Sequence, residues 1–152
     1  DYVFQEVVPF IRTHTSQETP IIVCGASFGA LHSMNIFLKR PDLFQGVIAM
    51  SGVYDLTEYT KSYFDDDVYF NSPLHYMANL TDHSILEKIR ESRHIHLLSG
   101  RGAYEDPGAA GRFARLLYDK GIHYELDLWG PEWPHDWNTW RHMLPQYLSS
   151  RF

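Results

Sequence analysis

The sequence predicts an α/β fold in which parallel strands alternate with helices. Residues 21–24 and 46–50 are short apolar runs typical of strands, and residues 94–98 and 123–129 mix apolar and polar residues in runs that are also predicted to be strands; segments with helical spacing lie between them. Strands connected in this way pair in parallel through right-handed crossovers, so that the loops at their C-terminal ends share one edge of the sheet. Functional residues are expected in those loops.

The N-terminal half is predicted to run helix, strand, helix, strand. Apolar residues recur with helical spacing over residues 3–11, and a loop rich in helix breakers follows. The run 21–24 is entirely apolar, so we expect a strand buried on both faces, with Cys24 as a small core residue. The helix predicted over residues 28–40 ends before Pro41, and the next apolar run predicts a second buried strand.

The middle of the chain has weaker periodicity. Residues 51–80 are rich in Tyr, Phe and Asp and are predicted to be a long irregular segment, with Asp65–Asp67 in a solvated loop. Ser84 and Glu87 have the spacing of a capping box, which predicts a helix that leads to the third strand.

The C-terminal part has clearer helix boundaries. Asp106 followed by Pro107 is typical of a helix start, and Gly121 is typical of its end. After the fourth strand, residues 135–148 are predicted to form a final helix, bent at Pro145.

Composition limits the classes of function. The net charge is −6 and there is no block of Lys or Arg, which argues against nucleic acid or an anionic membrane surface as a partner. A single cysteine excludes an internal disulfide framework, and no apolar run is long enough to cross a bilayer. We therefore expect one domain over residues 1–152, a cytoplasmic location and a small-molecule substrate.

Residues 25–29, Gly-Ala-Ser-Phe-Gly, match the nucleophile-elbow pattern Gly-x-Ser-x-Gly between a predicted strand and a predicted helix. A sharp turn there would strain Ser27 and raise its hydroxyl above the sheet, and both glycines would avoid clashes with the neighbouring strand and helix. The amide of Phe28, at the helix N-terminus, is the predicted oxyanion-hole donor.

Ser27 needs a base, and the base needs an acid to orient it. His135 follows the fourth predicted strand on a loop rich in Gly and Pro, at the edge where it would meet Ser27. The loop after the third strand contains Glu105 and Asp106. Helix capping accounts for Asp106. We therefore favour Glu105 as the acid, keep Asp106 as the alternative and rank Asp127, inside a strand, below both.

No metal or other cofactor is expected. His94 and His96 alternate on one strand as a pair of metal ligands would, but a third ligand at a suitable spacing is missing.

Three segments stand out together: VCGASFGALHSMNIFLKRPDLFQGVIAMSGVYDL (23–56), SGRGAYEDP (99–107) and LWGPEWPHDWNTWRHMLPQYL (128–148). They resemble the esterase branch of the α/β-hydrolase superfamily, which includes esterase D-like, feruloyl and acetyl esterases and enterochelin-esterase catalytic domains. The resemblance spans nearly the whole chain and implies a triad of Ser27, His135 and Glu105 or Asp106. Ala30, where a third glycine often stands, and Pro134 depart from many relatives.

The resemblance also implies strands before the first helix that this sequence does not contain, together with a loop that supplies the second oxyanion amide. The first strand would then expose an unpaired edge. We therefore expect the chain to be the C-terminal part of a larger catalytic domain, associated with the missing N-terminal part, or else a homo-oligomer paired through that edge.

The function predicted from these features is hydrolysis of a carboxylic ester by a serine esterase, through an acyl-enzyme intermediate and without a cofactor. The same residues would serve an acyltransferase or a thioesterase. A hydrolase-like module that binds without catalysis is the alternative from another class.

Overall fold

The computed structural model describes residues 2–152, in which a parallel sheet of four strands is flanked by seven α-helices. The elements in chain order are a π-helical turn Val3–Val7, α1 (Val8–His14), β1 (Ile22–Ala26), α2 (Phe28–Lys39), β2 (Gly46–Met50), α3 (Asp66–Asn71), α4 (Pro73–Asn79), α5 (His83–Glu91), β3 (His94–Ser99), α6 (Pro107–Asp119), β4 (Glu125–Leu128) and α7 (Trp137–Arg151). The predicted α/β class is confirmed.

The sheet has the strand order β1-β2-β3-β4, and every neighbouring pair is parallel. In the register, Ala26 lies opposite Met50, and Met50 lies opposite Leu98. The residues that follow these strands therefore emerge at one edge of the sheet, as the sequence predicts.

Helices cover both faces of the sheet. Along β2 the side chains of Val47 and Ala49 join the larger apolar core, which includes α2 and α6. Those of Ile48 and Met50 join the smaller core beneath α7. This alternation fits a central strand with both faces buried, and it anchors the start of α7 near the functional edge.

β1 differs from its prediction. It extends to Ala26, its residues are partly exposed, and Cys24 is exposed rather than a core residue. The physical reason is position, because within residues 2–152 β1 lies at the edge of the sheet and pairs only with β2. An apolar strand is buried on both sides only when neighbouring elements cover it.

The prediction of an irregular segment over 51–80 was wrong in its second half, which contains α3 and α4. Asp65 caps α3 by accepting a hydrogen bond from the Val68 amide at 2.9 Å. The cap of α5 is Asp82, which accepts from the amides of Ser84 and Ile85, so the predicted capping box is not the one that forms. Short helices of this kind depend on one cap rather than on long periodicity.

None of the helices in residues 2–152 combines the length and the apolar character that a membrane span requires.

Candidate active site

Ser27 occupies the tight turn between β1 and α2. Its backbone has φ 56° and ψ −123°, a conformation that an L-residue rarely adopts. Its amide donates to the carbonyl of Met50 at 2.9 Å, which ties the turn to β2. A strained residue held in this way at the functional edge of a sheet is typical of a functional site.

The two glycines around Ser27 do not play equal parts. A Cβ at Gly25 would overlap the main-chain carbonyl of Gly29 and lie 2.7 Å from Ser33 Oγ, whereas a Cβ at Gly29 would meet nothing within 4 Å. We expected glycine to be needed at both positions to avoid clashes, and this prediction is wrong for Gly29, where a side chain has room. Only Gly25 is required, because α2 begins directly against β1.

This difference predicts opposite effects of the same substitution. We expect Gly25→Ala to lower the free energy of unfolding by about 2–3 kcal/mol, because the helix backbone must move. We expect Gly29→Ala to leave it unchanged or to raise it by up to about 1 kcal/mol, because alanine favours helix. Urea unfolding of both variants checks this, and equal destabilisation would contradict it.

His135 meets Ser27 across the sheet edge. The Ser27 hydroxyl oxygen lies 2.9 Å from His135 Nε2, which is within hydrogen-bond distance. His135 stands on the loop between β4 and α7, and its ring is about one quarter exposed. The histidine is therefore accessible to solvent and to a substrate.

Main-chain hydrogen bonds hold this loop to the one that follows β3. The amide of His135 donates to the carbonyl of Ala103 at 2.9 Å, and the amide of Gly102 donates to the carbonyl of Trp133 at 3.0 Å. A Cβ at Gly100 or Gly102 would overlap or crowd the main chain of Trp133. The close approach of the two loops thus depends on glycine at both positions.

Glu105 is the acidic residue that reaches His135. Its Oε2 lies 3.4 Å from His135 Nδ1, longer than a typical hydrogen bond, and its side chain is 1% exposed. Asp106 points elsewhere and caps α6 by accepting from the Ala109 amide at 3.1 Å. Asp127 accepts instead from the side chains of Trp129 and Tyr147. The geometry brings together Ser27, His135 and Glu105 and leaves the other two carboxylates outside.

Sequence reasoning missed three residues that surround Glu105. Ser51 Oγ donates to Glu105 Oε1 at 2.5 Å, and Ser99 Oγ lies 3.1 Å from Oε2. Trp140 Nε1 donates to Ser51 Oγ at 2.9 Å. One signal was available: Ser27 and Ser51 directly follow parallel strands and Ser99 ends one, so all three hydroxyls lie at the same edge.

Phe28 opens α2, where the first amides have no acceptor within the helix. Its amide is therefore in a position to donate to an anion at the turn. Its side chain is 42% exposed and meets Tyr59 edge to face, with ring centroids 5.1 Å apart. Phe28, the predicted oxyanion-hole donor, therefore also contributes an exposed aromatic side chain beside the candidate site.

The aromatic segment after β2 divides into an inner and an outer part. Tyr54 is buried and stacks on Phe113 at 4.5 Å, and Met77 is also buried. Tyr59 is about half exposed and lines a cavity of about 80 Å³ beside His135. The inner part is core packing, and the outer part borders the candidate site.

Within residues 2–152 no cluster of three His, Cys, Asp or Glu side chains has the arrangement of a metal site. His96 is buried in β3, its Nδ1 lies 3.4 Å from Glu125, and burial lowers its pKa. Its ring packs on that of Tyr147.

Comparison with known proteins places this chain in a family. The family model described as "Putative esterase" matches residues 1–151. The chain belongs to this esterase family. The resemblance noted in the sequence is thereby confirmed, and the fold is of the α/β-hydrolase type.

Solved structures share the fold of this esterase-family chain at low sequence identity. A ferulic acid esterase superposes with a TM-score of 0.75 at 20% identity, over 97% of this chain and 58% of its own. An S-formylglutathione hydrolase from Agrobacterium tumefaciens has a TM-score of 0.71 at 13% identity, over 97% and 55% respectively. FphF, a fluorophosphonate-binding serine hydrolase of Staphylococcus aureus, has a TM-score of 0.67 at 16% identity, over 98% and 61%.

This member of the esterase family therefore spans about three fifths of the length of these three solved chains. Among curated proteins no significant match was found.

Proposed function

We propose that this protein is a serine esterase that hydrolyses a carboxylic ester through a covalent acyl-Ser27 intermediate. The observation that carries the proposal is the 2.9 Å contact between Ser27 Oγ and His135 Nε2, with Glu105 behind Nδ1 of the same ring. A nucleophile, a base and an acid in this order are the groups that acyl transfer requires. Membership of the esterase family supports the same reaction class.

In the first half-reaction Ser27 Oγ attacks the carbonyl carbon of the ester while His135 Nε2 accepts the hydroxyl proton. The carbonyl oxygen becomes an oxyanion, which the Phe28 amide stabilises; one such donor contributes about 3 kcal/mol to the transition state. The tetrahedral intermediate collapses, the C–O bond to the alcohol breaks, and His135 returns the proton to the leaving oxygen. Ser27 then carries the acyl group.

In the second half-reaction water attacks the acyl-Ser27 carbonyl and His135 accepts a proton from the water. As this intermediate collapses, the bond between the acyl carbon and Ser27 Oγ breaks and His135 returns the proton to Oγ, which releases the carboxylic acid and restores the Ser27 hydroxyl. Throughout, the buried Glu105 carboxylate holds the ring orientation and stabilises the imidazolium that forms in each half-reaction. Every proton and bond is accounted for by the ester and water, so no cofactor is needed.

We also propose that the catalytic domain of the whole protein is larger than residues 2–152 and covers β1. Exposed Cys24 and a mainly apolar groove of about 530 Å³ between β1 and α7 support this, since an apolar sheet edge favours a covering element. A segment packed there would lie beside Ser27 and could supply the second oxyanion amide.

The experiment that tests the function is active-site labelling followed by product analysis. We expect a fluorophosphonate to modify Ser27 of the full-length protein, located by mass spectrometry of the peptide, and p-nitrophenyl acetate to be hydrolysed. Enzyme-dependent transfer of the acetyl group to an added alcohol would instead indicate an acyltransferase. Faster hydrolysis of thioesters than of esters would indicate a thioesterase. Absence of both labelling and turnover would favour a non-catalytic binding module.

A further inference from the structure

Ser51 lies in a conformation that serine adopts only rarely. It directly follows β2, is 5% exposed and has φ 50°. Its amide donates to the carbonyl of Leu98 at 2.6 Å, which fixes the turn against β3. Glycine would adopt this backbone without strain, so a serine here points to a role for the hydroxyl.

The hydrogen bonds of that hydroxyl have a defined direction. The indole Nε1 of Trp140 can only donate, so Ser51 Oγ accepts this bond and gives its own proton to Glu105 Oε1. Glu105 therefore accepts the Ser51 hydroxyl on Oε1, while its Oε2 lies 3.1 Å from Ser99 Oγ and 3.4 Å from His135 Nδ1. A buried carboxylate needs such donors, and their placement determines its rotation.

Trp140 also contacts the other partner of this pair, His135. Its ring meets the imidazole of His135 edge to face, with centroids 5.1 Å apart and planes at 87°. One side chain of α7 therefore contacts the base directly and the acid through Ser51.

We propose that Ser51 and Trp140 are positioning residues, in which the Trp140–Ser51 hydrogen-bond pair turns the Glu105 carboxylate so that Oε2 faces His135 Nδ1. The inference rests on the proposed function and adds to it two residues that act by orienting the Glu105 carboxylate. It also gives α7 a role, since its first turns set the orientation of the acid.

The test uses Ser51→Gly, Trp140→Phe and the double variant in the full-length protein. Ser51→Gly removes the hydroxyl but relieves the backbone strain, and Trp140→Phe keeps an aromatic ring beside His135 but loses the N–H. We expect Ser51→Gly to lower kcat for p-nitrophenyl acetate roughly 10- to 100-fold, as for a hydrogen bond to a charged group, with KM changed less than about twofold. The fluorophosphonate labelling rate should fall in parallel.

We expect Trp140→Phe to have a smaller effect in the same direction, and the double variant to be no slower than Ser51→Gly, because Trp140 acts through Ser51. Ser92→Ala is the matched control: Ser92 is also a buried serine, but it donates to the Gln45 carbonyl at the opposite end of the sheet. This control should keep kcat.

A spectroscopic readout separates this inference from the proposed function. The downfield proton resonance of His135 Nδ1–H should shift or disappear in Ser51→Gly and persist in Ser92→Ala, whether or not the protein turns over an ester. Unchanged kcat and an unchanged resonance in folded Ser51→Gly would overturn the positioning role while leaving Ser27 chemistry intact. Independent, multiplying effects of the two substitutions would overturn the link from Trp140 through Ser51.

Discussion

Ser27→Ala is expected to lower kcat for ester hydrolysis by about 10⁴-fold or more and to abolish fluorophosphonate labelling. Within residues 2–152, the hydrogen-bond partner of His135 Nε2 is the Ser27 hydroxyl. Without it His135 has no alcohol to deprotonate, and only binding and oxyanion stabilisation of a water attack remain. Turnover of p-nitrophenyl acetate and gel-based labelling measure both effects.

The matched control is Cys24→Ser. Cys24 lies three residues before Ser27 in β1 and is the sole cysteine of the chain. We expect this variant to label and turn over as the parent does. A Ser27→Ala protein that retained more than about one hundredth of the parent activity would contradict the assignment of the nucleophile.

Glu105→Gln should lower kcat by about 10³- to 10⁴-fold, whereas its neighbour Asp106→Asn should change kcat less than about threefold. The glutamine keeps the shape of the side chain but loses the charge that stabilises the imidazolium of His135. Asparagine at 106 still caps α6, because its side-chain oxygen accepts the amide bond that Asp106 accepts now. Steady-state kinetics of both variants provide the comparison.

Thermal unfolding keeps this comparison interpretable, since both proteins must be folded at the assay temperature. If Asp106→Asn were the variant that lost activity, the acid of the triad would be misassigned. The losses of kcat expected for these two adjacent carboxylates therefore differ by about three orders of magnitude.

The sequence was sufficient for the candidate nucleophile and base because both have local signatures. Ser27 stands in a five-residue pattern between a strand and a helix, and His135 follows the last strand on a Gly- and Pro-rich loop. The preference for Glu105 over Asp106 came from capping chemistry, which is also local. The assignment of these residues to catalysis stays a prediction until the variants are measured.

Other features could not be predicted because they depend on spatial neighbours. Ser51 and Trp140 are 89 residues apart in the chain, and their hydrogen bond exists only because α7 packs on the face of β2. The exposure of Cys24 depends on which strands pair with β1, since apolar composition is the same in an edge strand and a central one.

The loops that carry Glu105 and His135 are joined through peptide groups of Gly102, Ala103 and Trp133 rather than through their side chains. Tyr104, between them, is 94% exposed and points away from these bonds. The distance between Glu105 and His135 therefore does not depend on which side chains point outward from these loops. Relatives could acquire new substrate preferences by changing the outward residues of these loops, while the proton-transfer geometry is inherited unaltered.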